Sequence, residues 1–409
     1  MNATRPRSVS VVILFGVFAF GYFLSALLRA VTATLAPVFS GELGLRAGDL
    51  GLLAGAYFFG FAVLQLPLGQ ALDRFGPRRT LLVLMAVAVL GCAAFASATG
   101  FTALVAARVL IGAGMAASLM APLTAYRRRL SPAAQLRANS WMLMTGSLGM
   151  LASTLPVQLL LPVLGWRGLF WALALLLALA ASLVAMLVPA DVHAETPAGG
   201  PKVGYLDIAR HPMFMRTAPL AFFVYGGMIA VQSLWAGPWL TRVAGWSATE
   251  AAQGLFGINA AMLLAFFAWG LVMPRLVHRG LHAMRLMAWG LPLPLLLLAL
   301  IVALGQQAGA AHWAAWCVAC TFVSTSQPAV GAAFPAAQAG RALSAFNLVI
   351  FAGVFCIQWG LGLTIDALRS LGWSDDLAFR CAFAAFGLCA LAAYVWFLRH
   401  RPQAADNAR

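Results

Sequence analysis

Charge is scarce in this chain, and acid scarcer still. Asp, Glu, Lys and Arg make up 9% of the 409 residues, and only 11 of those are acidic. A globular protein carries about a quarter of its residues as charges to wet its surface, so a soluble multidomain protein is excluded. The six cysteines (Cys92, Cys317, Cys320, Cys356, Cys381 and Cys389) all fall inside apolar runs, where thiols behave as small hydrophobic groups and no disulfide framework is expected. Cys317 and Cys320 form CxxC but have no second ligand pair, which argues against zinc. No Walker loop, metal cluster or nucleophile arrangement occurs, so a membrane enzyme is disfavoured and neither cofactor nor metal is expected. MNATRPRSVS at the N-terminus is followed by a full-length apolar run without a small-residue cleavage site, so Val11 to Val38 is read as the first membrane helix and not as a leader.

What is present is apolar. Hydrophobic residues make up 63% of the chain, with 27 Phe, 13 Trp and a mean hydropathy of +0.90. A helix crosses the ~30 Å hydrocarbon core in about 20 residues. About twelve such runs can be laid out, at 11–38, 50–72, 80–99, 101–126, 139–164, 169–188, 217–241, 250–274, 284–304, 312–334, 342–365 and 378–398. They are too long and too continuously apolar for the alternating pattern of a membrane barrel. The expected fold is an all-α membrane protein with about twelve transmembrane helices.

The net charge of +15 would point to nucleic acid in a soluble protein, but here its placement carries the information. With the N-terminus inside, 19 of the 26 basic residues fall at cytoplasmic ends. The positive-inside bias therefore puts both termini in the cytoplasm, and the basic, Ala/Leu-rich composition suits a bacterial cytoplasmic membrane.

Shifting the sequence by 201 positions lays LAPVFSGELGL (Leu35 to Leu45) on AGPWLTRVAGW (Ala236 to Trp246), matching Pro37 with Pro238 and Gly44 with Gly245. The same shift pairs Gly69 with Gly270 and Arg74 with Arg275, while RANS at Arg137 meets RALS at Arg341 and the GW at Gly165 meets that at Gly372. Two related six-helix halves are expected, spanning 1–190 and 216–400, with a linker at 191–215 and a cytoplasmic tail at 401–409. After the polar stretch Asp191 to Gly204, YLDIARHPMFMR is read as an interfacial helix with Tyr205, Ile208, Met213 and Phe214 toward lipid and Arg210 and Arg216 toward head groups.

LPLGQALDRFGPRR (Leu66 to Arg79) places one acid and three bases in its last seven positions, between two apolar runs. Asp73 sits where a helix dipole disfavours a carboxylate, so it must be paired or must cap another element. Gly69, four residues earlier, would let a neighbouring helix approach closely. Gly76 and Pro77 make the turn, and Arg78 and Arg79 can rest on anionic head groups.

This stretch resembles the loop between helices 2 and 3 of the major facilitator superfamily, G-x-x-x-D-R-x-G-R-R, through Gly69, Asp73, Arg74, Gly76, Arg78 and Arg79. ARVLIGAGMAA is similar to a second signature of that superfamily in helix 4, through Arg108, Gly112 and Gly114. In the second half the loop motif is degenerate, with Gly270 and Arg275 kept but Pro274 where Asp73 would be. The resemblance implies a transporter that alternates between inward-open and outward-open states about a midplane site; nothing in the chain forces oligomerisation, so a monomer is expected. Gly69, Asp73, Arg74, Gly76, Arg78, Arg79, Arg108 and Gly112 would then serve gating.

An ionisable residue inside a span marks function by default, because an arginine at mid-helix costs about 2.5–3.5 kcal/mol. Arg29 is the clearest case, since Tyr22, Ser25, Arg29 and Thr32 recur at helical spacing as a polar stripe on the first run. Its repeat counterpart is Ala230. The second half offers uncharged groups instead: Tyr225, Gln232, Trp235 and Trp239 on the seventh run, Asn259 on the eighth, Gln327 on the tenth, and Asn347 and Gln358 on the eleventh. Of the 11 acidic residues none lies near the middle of a run. A proton-driven exporter of cationic drugs would be expected to bury a titrating carboxylate there. A cation in a polar stripe favours an anionic substrate bearing a carboxylate or phosphate, and an arginine in the first helix also resembles the organic-anion branch of the superfamily. An exporter of amphipathic, drug-like molecules and a non-transporting membrane sensor remain as alternative readings.

Overall fold

The computed structural model describes residues 10–189 and 204–400; most of the central linker and the tail at 401–409 lie outside them. Every described element is helical, because in hydrocarbon only a helix satisfies its own backbone polar groups without an edge. Nine helices among the described residues are long and apolar enough to cross a membrane, or ten when one bent pair is taken as a single span. The remaining two of the twelve expected runs are helices broken near their middles.

In chain order, α1 is Val11–Glu42. Ala47–Val63 and the first part of Gln65–Ser97 form α2, bent by 42° at Leu64. Gly76 (φ 81°) turns the chain, so that 77–97 is α3. Phe101–Met115 and Met120–Arg129 are the two pieces of α4. Pro132–Ala152 continues through 155–164 as α5, Gly165 (φ 61°) turns the chain again, and 166–187 is α6. A short helix, Tyr205–Arg210, leads into α7 at Pro212–Val243. The second half then runs through α8 (Ala248–His278), α9 (Ala283–Gln307) and α10, which passes from Ala310–Cys320 through a 3₁₀ segment, Thr321–Thr325, to Ser326–Ala332. It closes with α11 (Ala336–Ser370) and α12 (Asp375–Arg399).

The internal repeat is written into the backbone. Seven described glycines adopt positive φ, a conformation open to glycine because it has no Cβ. Six of them pair across the halves: Gly44 with Gly245, Gly76 with Gly280, and Gly165 with Gly372, at the shifts of 201 to 207 read from the sequence. The breaks in α4 (116–119) and α10 (Thr321–Thr325) fall at corresponding positions as well.

Compactness divides the described residues differently from the repeat. One unit comprises 10–31 with 59–189, and the other 32–58 with 204–400. The distal part of α1 and the first half of α2 thus pack with the second-half helices.

Within the first unit, helices meet backbone to backbone. A Cβ on Gly60 of α2 would run into the Val109 carbonyl of α4, one on Gly114 into the Ala88 amide of α3, and one on Gly149 into the Phe23 carbonyl of α1. The close approach expected at Gly69 is not made: nothing described lies within 4 Å of where its Cβ would be. The bend at Leu64 redirects α2 there, and its tight contacts are at Gly48, Gly51, Gly55 and Gly60 instead.

In the second unit the segment before α7 departs from expectation. Ile208 and Phe214 do not face lipid but are buried with Val330, Phe334, Ala342 and Phe346, and Tyr205 and Met213 pack against the same cluster. Arg216 is buried too, with Nε donating to the Phe397 carbonyl at 3.0 Å and the guanidinium 4.3 Å from the Phe397 ring. The apolar stripe was legible, but burying it against α10 and α11 removes more surface from water than the head-group region would.

The helix contacts predict a sharp contrast between two glycines. Gly114→Val should lower the detergent unfolding midpoint by several degrees, in line with the ~1–3 kcal/mol of an overpacked contact, whereas Gly16→Ala, with nothing within 4 Å of its added Cβ, should leave it unchanged. A fluorescence-based melting curve on both variants checks this.

Candidate functional site

The first unit contributes the cation. Tyr22 and Ser25 are buried, and Arg29 is half-buried on the same helix. The Tyr22 ring rests on Gly146 of α5, where a Cβ would lie 2.5 Å from it. Arg29 is engaged by its surroundings. Immediately before it, the Leu28 carbonyl accepts a hydrogen bond from Arg108 of α4 at 3.0 Å. Arg108 is fully buried, and a guanidinium in an apolar interior must find acceptors or pay the cost of desolvation. Arg108 therefore braces α1 immediately beside Arg29. Gly112, one turn further along α4, is buried as well. Thr32, the last member of the stripe, is buried in the second unit.

The loop residues of the first unit lie around the Gly76 turn. Arg78 donates to the Ala185 carbonyl near the end of α6, tying this loop to that helix. Thr80 closes the turn by donating to the Ala71 carbonyl at 3.1 Å. Arg74 and Arg79 are exposed, with Arg74 5.2 Å from the Phe75 ring. The Asp73 side chain lies outside what the structure describes.

In the second unit, the expected polar residues form two pairs with one another and a third with Ser233. Gln232 of α7 donates to Asn259 Oδ1 of α8 at 3.0 Å, and Asn259 Nδ2 donates back to the Leu255 carbonyl at 2.9 Å. Gln358 of α11 donates to Ser233 Oγ at 2.9 Å, while its backbone carbonyl accepts from the Trp235 indole at 3.1 Å. Gln327 of α10 donates to Asn347 Oδ1 of α11 at 2.6 Å. Tyr225 is half-buried and also engaged. Trp239 is fully buried, spending its indole N–H on the Ala308 carbonyl at 2.9 Å, within a cluster that includes Trp313, Phe379 and Phe383. Gln358 Oε1 is buried with no hydrogen-bond partner among the described residues.

Ser233 escaped sequence reasoning, and the reason is local. Residues Val231–Trp235 form a π-helical turn, one of three in α7, and each such turn inserts a residue that rotates the following side chains off the 3.6-residue register. Adjacent residues Gln232 and Ser233 thereby serve different neighbours.

Asp366 was the second omission. Its carboxylate accepts from the Ala47 amide at 3.1 Å and the Gly48 amide at 2.7 Å, capping α2 from α11. Negative charge at a helix N-terminus is stabilised by the unsatisfied amides and the dipole. The cap sits above a close glycine contact: Cβ atoms on Gly51 and Gly362 would collide with the Gln358 and Ala47 carbonyls respectively. No sequence signal links residues over 300 positions apart, so only the fold reveals this cap.

The family model described as Major Facilitator Superfamily matches residues 18–357. A chloramphenicol resistance protein of Streptomyces lividans is 33% identical over 170 residues, 41% of this chain and 43% of that protein. The hexuronate transporter of Bacillus subtilis (strain 168) is 36% identical over 86 residues, 21% of this chain and 20% of that protein. The matched stretch is thus less than half of each relative. Among solved structures, a bacterial homologue of the human lysosomal transporter Spinster, inward-facing and unoccupied, superimposes with a TM-score of 0.75 at 17% identity, covering 96% of this chain and 98% of that one. That likeness concerns the fold.

The Asp366 cap predicts a local effect. Asp366→Ala should speed hydrogen exchange at the Ala47 and Gly48 amides about tenfold, from loss of a cap worth ~1.4 kcal/mol, and leave the amides of α12 unaffected. Exchange followed by mass spectrometry on peptides covering 43–60 and 378–398 reads both.

Proposed function

The chain belongs to the major facilitator superfamily, and on that premise we propose that it is a secondary transporter moving a small organic anion across the cytoplasmic membrane of a bacterium. Arg29 carries this reading. It is a guanidinium placed part-way along an apolar 32-residue helix, beside buried Tyr22 and Ser25 and braced by Arg108 through Leu28. Such a group offers paired N–H donors that match a carboxylate or phosphate. The hexuronate transporter among the relatives works on a sugar acid, which supports the same chemistry.

Alternating access supplies the mechanism. A substrate anion would meet Arg29 and the hydroxyls of Tyr22, Ser25 and Thr32 in the first half of the chain. The amide pairs of the second half, Gln232 with Asn259 and Gln327 with Asn347, would exchange partners with its hydroxyls or carbonyls. Gln358 Oε1 is an acceptor with capacity to spare. The loop residues Gly69, Asp73, Arg74, Gly76, Arg78 and Arg79, with Arg108 and Gly112, would set the balance between open states, and the basic loops would favour both termini in the cytoplasm.

The chloramphenicol resistance protein among the relatives favours a second reading, export of uncharged amphipathic compounds. The absence of a carboxylate near the middle of any apolar run speaks against cationic drugs but not against neutral ones.

A thermal-shift screen of the purified protein against carboxylates, organophosphates, inorganic anions, chloramphenicol and lipophilic cations separates the readings. A ligand bound only by the folded state at a hundred times its Kd stabilises by ~2.7 kcal/mol. Stabilisation by one anion class should appear in the wild type and vanish in Arg29→Ala. Stabilisation by chloramphenicol or cations that persists in Arg29→Ala would put the exporter first.

A further inference from the structure

The second unit contains a cavity of about 300 Å³ that the transport reading does not use. It lies at the end of the unit where α12 begins, opposite Arg399, with Phe379 in its lining. The distal part of α1, the start of α2, the end of α7, and α11 and α12 all contribute to it, and its polar lining is Ser40, Thr241, Arg242 and Arg369, beside the indoles of Trp235 and Trp246. Ligand sites begin at about this size and are mostly apolar, with a few converging polar groups.

Charge decides what such a cavity would take. Arg369 is neutralised: its Nε lies 2.7 Å from Asp375 Oδ1, its NH1 4.0 Å from Asp366 Oδ1. The Asp366 carboxylate is itself occupied by the α2 amides. Arg242 is different. It is exposed on the cavity rim and makes no ion pair or hydrogen bond among the described residues. Thr241, its neighbour, turns its hydroxyl proton back to the Gly237 carbonyl at 3.2 Å, leaving oxygen lone pairs but no donor for the cavity. The unbalanced charge is therefore one guanidinium beside indole and proline walls, whose low polarity strengthens its field.

We infer that this cavity is an outer loading site, where a carboxylate-bearing anion docks on Arg242 before transport. Given an anionic substrate, as proposed above, the orientation set by the basic loops puts the cavity on the extracytoplasmic side. A single exposed guanidinium there collects anions by steering and weak pairing rather than by tight binding. The partly exposed indole of Trp246 suits a ligand with an apolar or sugar-like body behind its carboxylate.

The test places a reporter on the cavity wall. In the Ser40→Cys variant, reconstituted in nanodiscs, the rate of labelling by a membrane-impermeant maleimide is measured with glucuronate or with the same concentration of chloride, and the protein without that substitution supplies the blank. Glucuronate should slow labelling several-fold. The slowing should survive added Arg29→Ala and Arg242→Lys but disappear with Arg242→Gln. No slowing in Ser40→Cys alone, or slowing that survives Arg242→Gln, would overturn the loading site. Slowing abolished by Arg29→Ala would overturn it too, because the anion would then act from deeper in the protein. The anion reading itself fails separately, when the Arg29→Ala thermal-shift result goes against it while Ser40→Cys protection still follows Arg242.

Discussion

Backbone-to-backbone contact at glycine is the constraint on which this structure depends. Lipid tails are as apolar as leucine, so burial against hydrocarbon gives two helices little reason to associate, and close packing with interhelical hydrogen bonds has to supply it. The chain meets this demand with glycines set on neighbouring carbonyls: Gly60 over Val109, Gly149 over Phe23, Gly51 over Gln358, Gly353 over Phe222 and Gly362 over Ala47. Each contact removes the side chain that would hold two helices apart. Much else in the site follows from that proximity. The Asp366 carboxylate can reach the α2 amides only because Gly48 and Gly362 bring α2 and α11 together, and Gln358 can receive the Trp235 indole only because Gly226 and Gly353 draw α7 against α11.

Most of the fold was legible because its determinants are local. Apolar length gave the helices, and the paired glycines at Gly44 and Gly245, or Gly165 and Gly372, gave the turns at a shift that the positive φ values now explain. The breaks were less legible. The interruption in α10 falls on Thr321, Ser324, Thr325 and Ser326, whose hydroxyls donate to the Val318, Thr321, Phe322 and Val323 carbonyls, whereas the bend at Leu64 occurs in an apolar stretch with no such signal.

The candidate site shows the same division. Arg29 stood out because a cation in an apolar run is costly wherever the helix packs. Gln232, Asn259, Asn347 and Gln358 could be named as polar groups in apolar surroundings, but their pairing could not, since Gln232 with Asn259 and Gln358 with Ser233 join different helices. The lipid-facing assignment of Ile208 and Phe214 failed for a related reason. Amphipathicity says that one face is apolar without saying whether lipid or protein covers it, and here Val330, Phe334 and Phe346 do.

The two halves share a backbone and differ in what their side chains can exchange. The repeat register sets Arg29 against Ala230, a charge against a methyl group, so symmetry of fold does not extend to chemistry. A guanidinium keeps its charge under every physiological condition, and in an apolar helix it is stabilised most by a partner that brings negative charge. The amides of the second half behave differently. Each can trade its present protein partner for a ligand at small net cost, because one hydrogen bond replaces another of similar strength. Substitutions at Gln232, Asn259 and Asn347 would then be expected to change which anions are accepted while leaving the requirement for Arg29 in place.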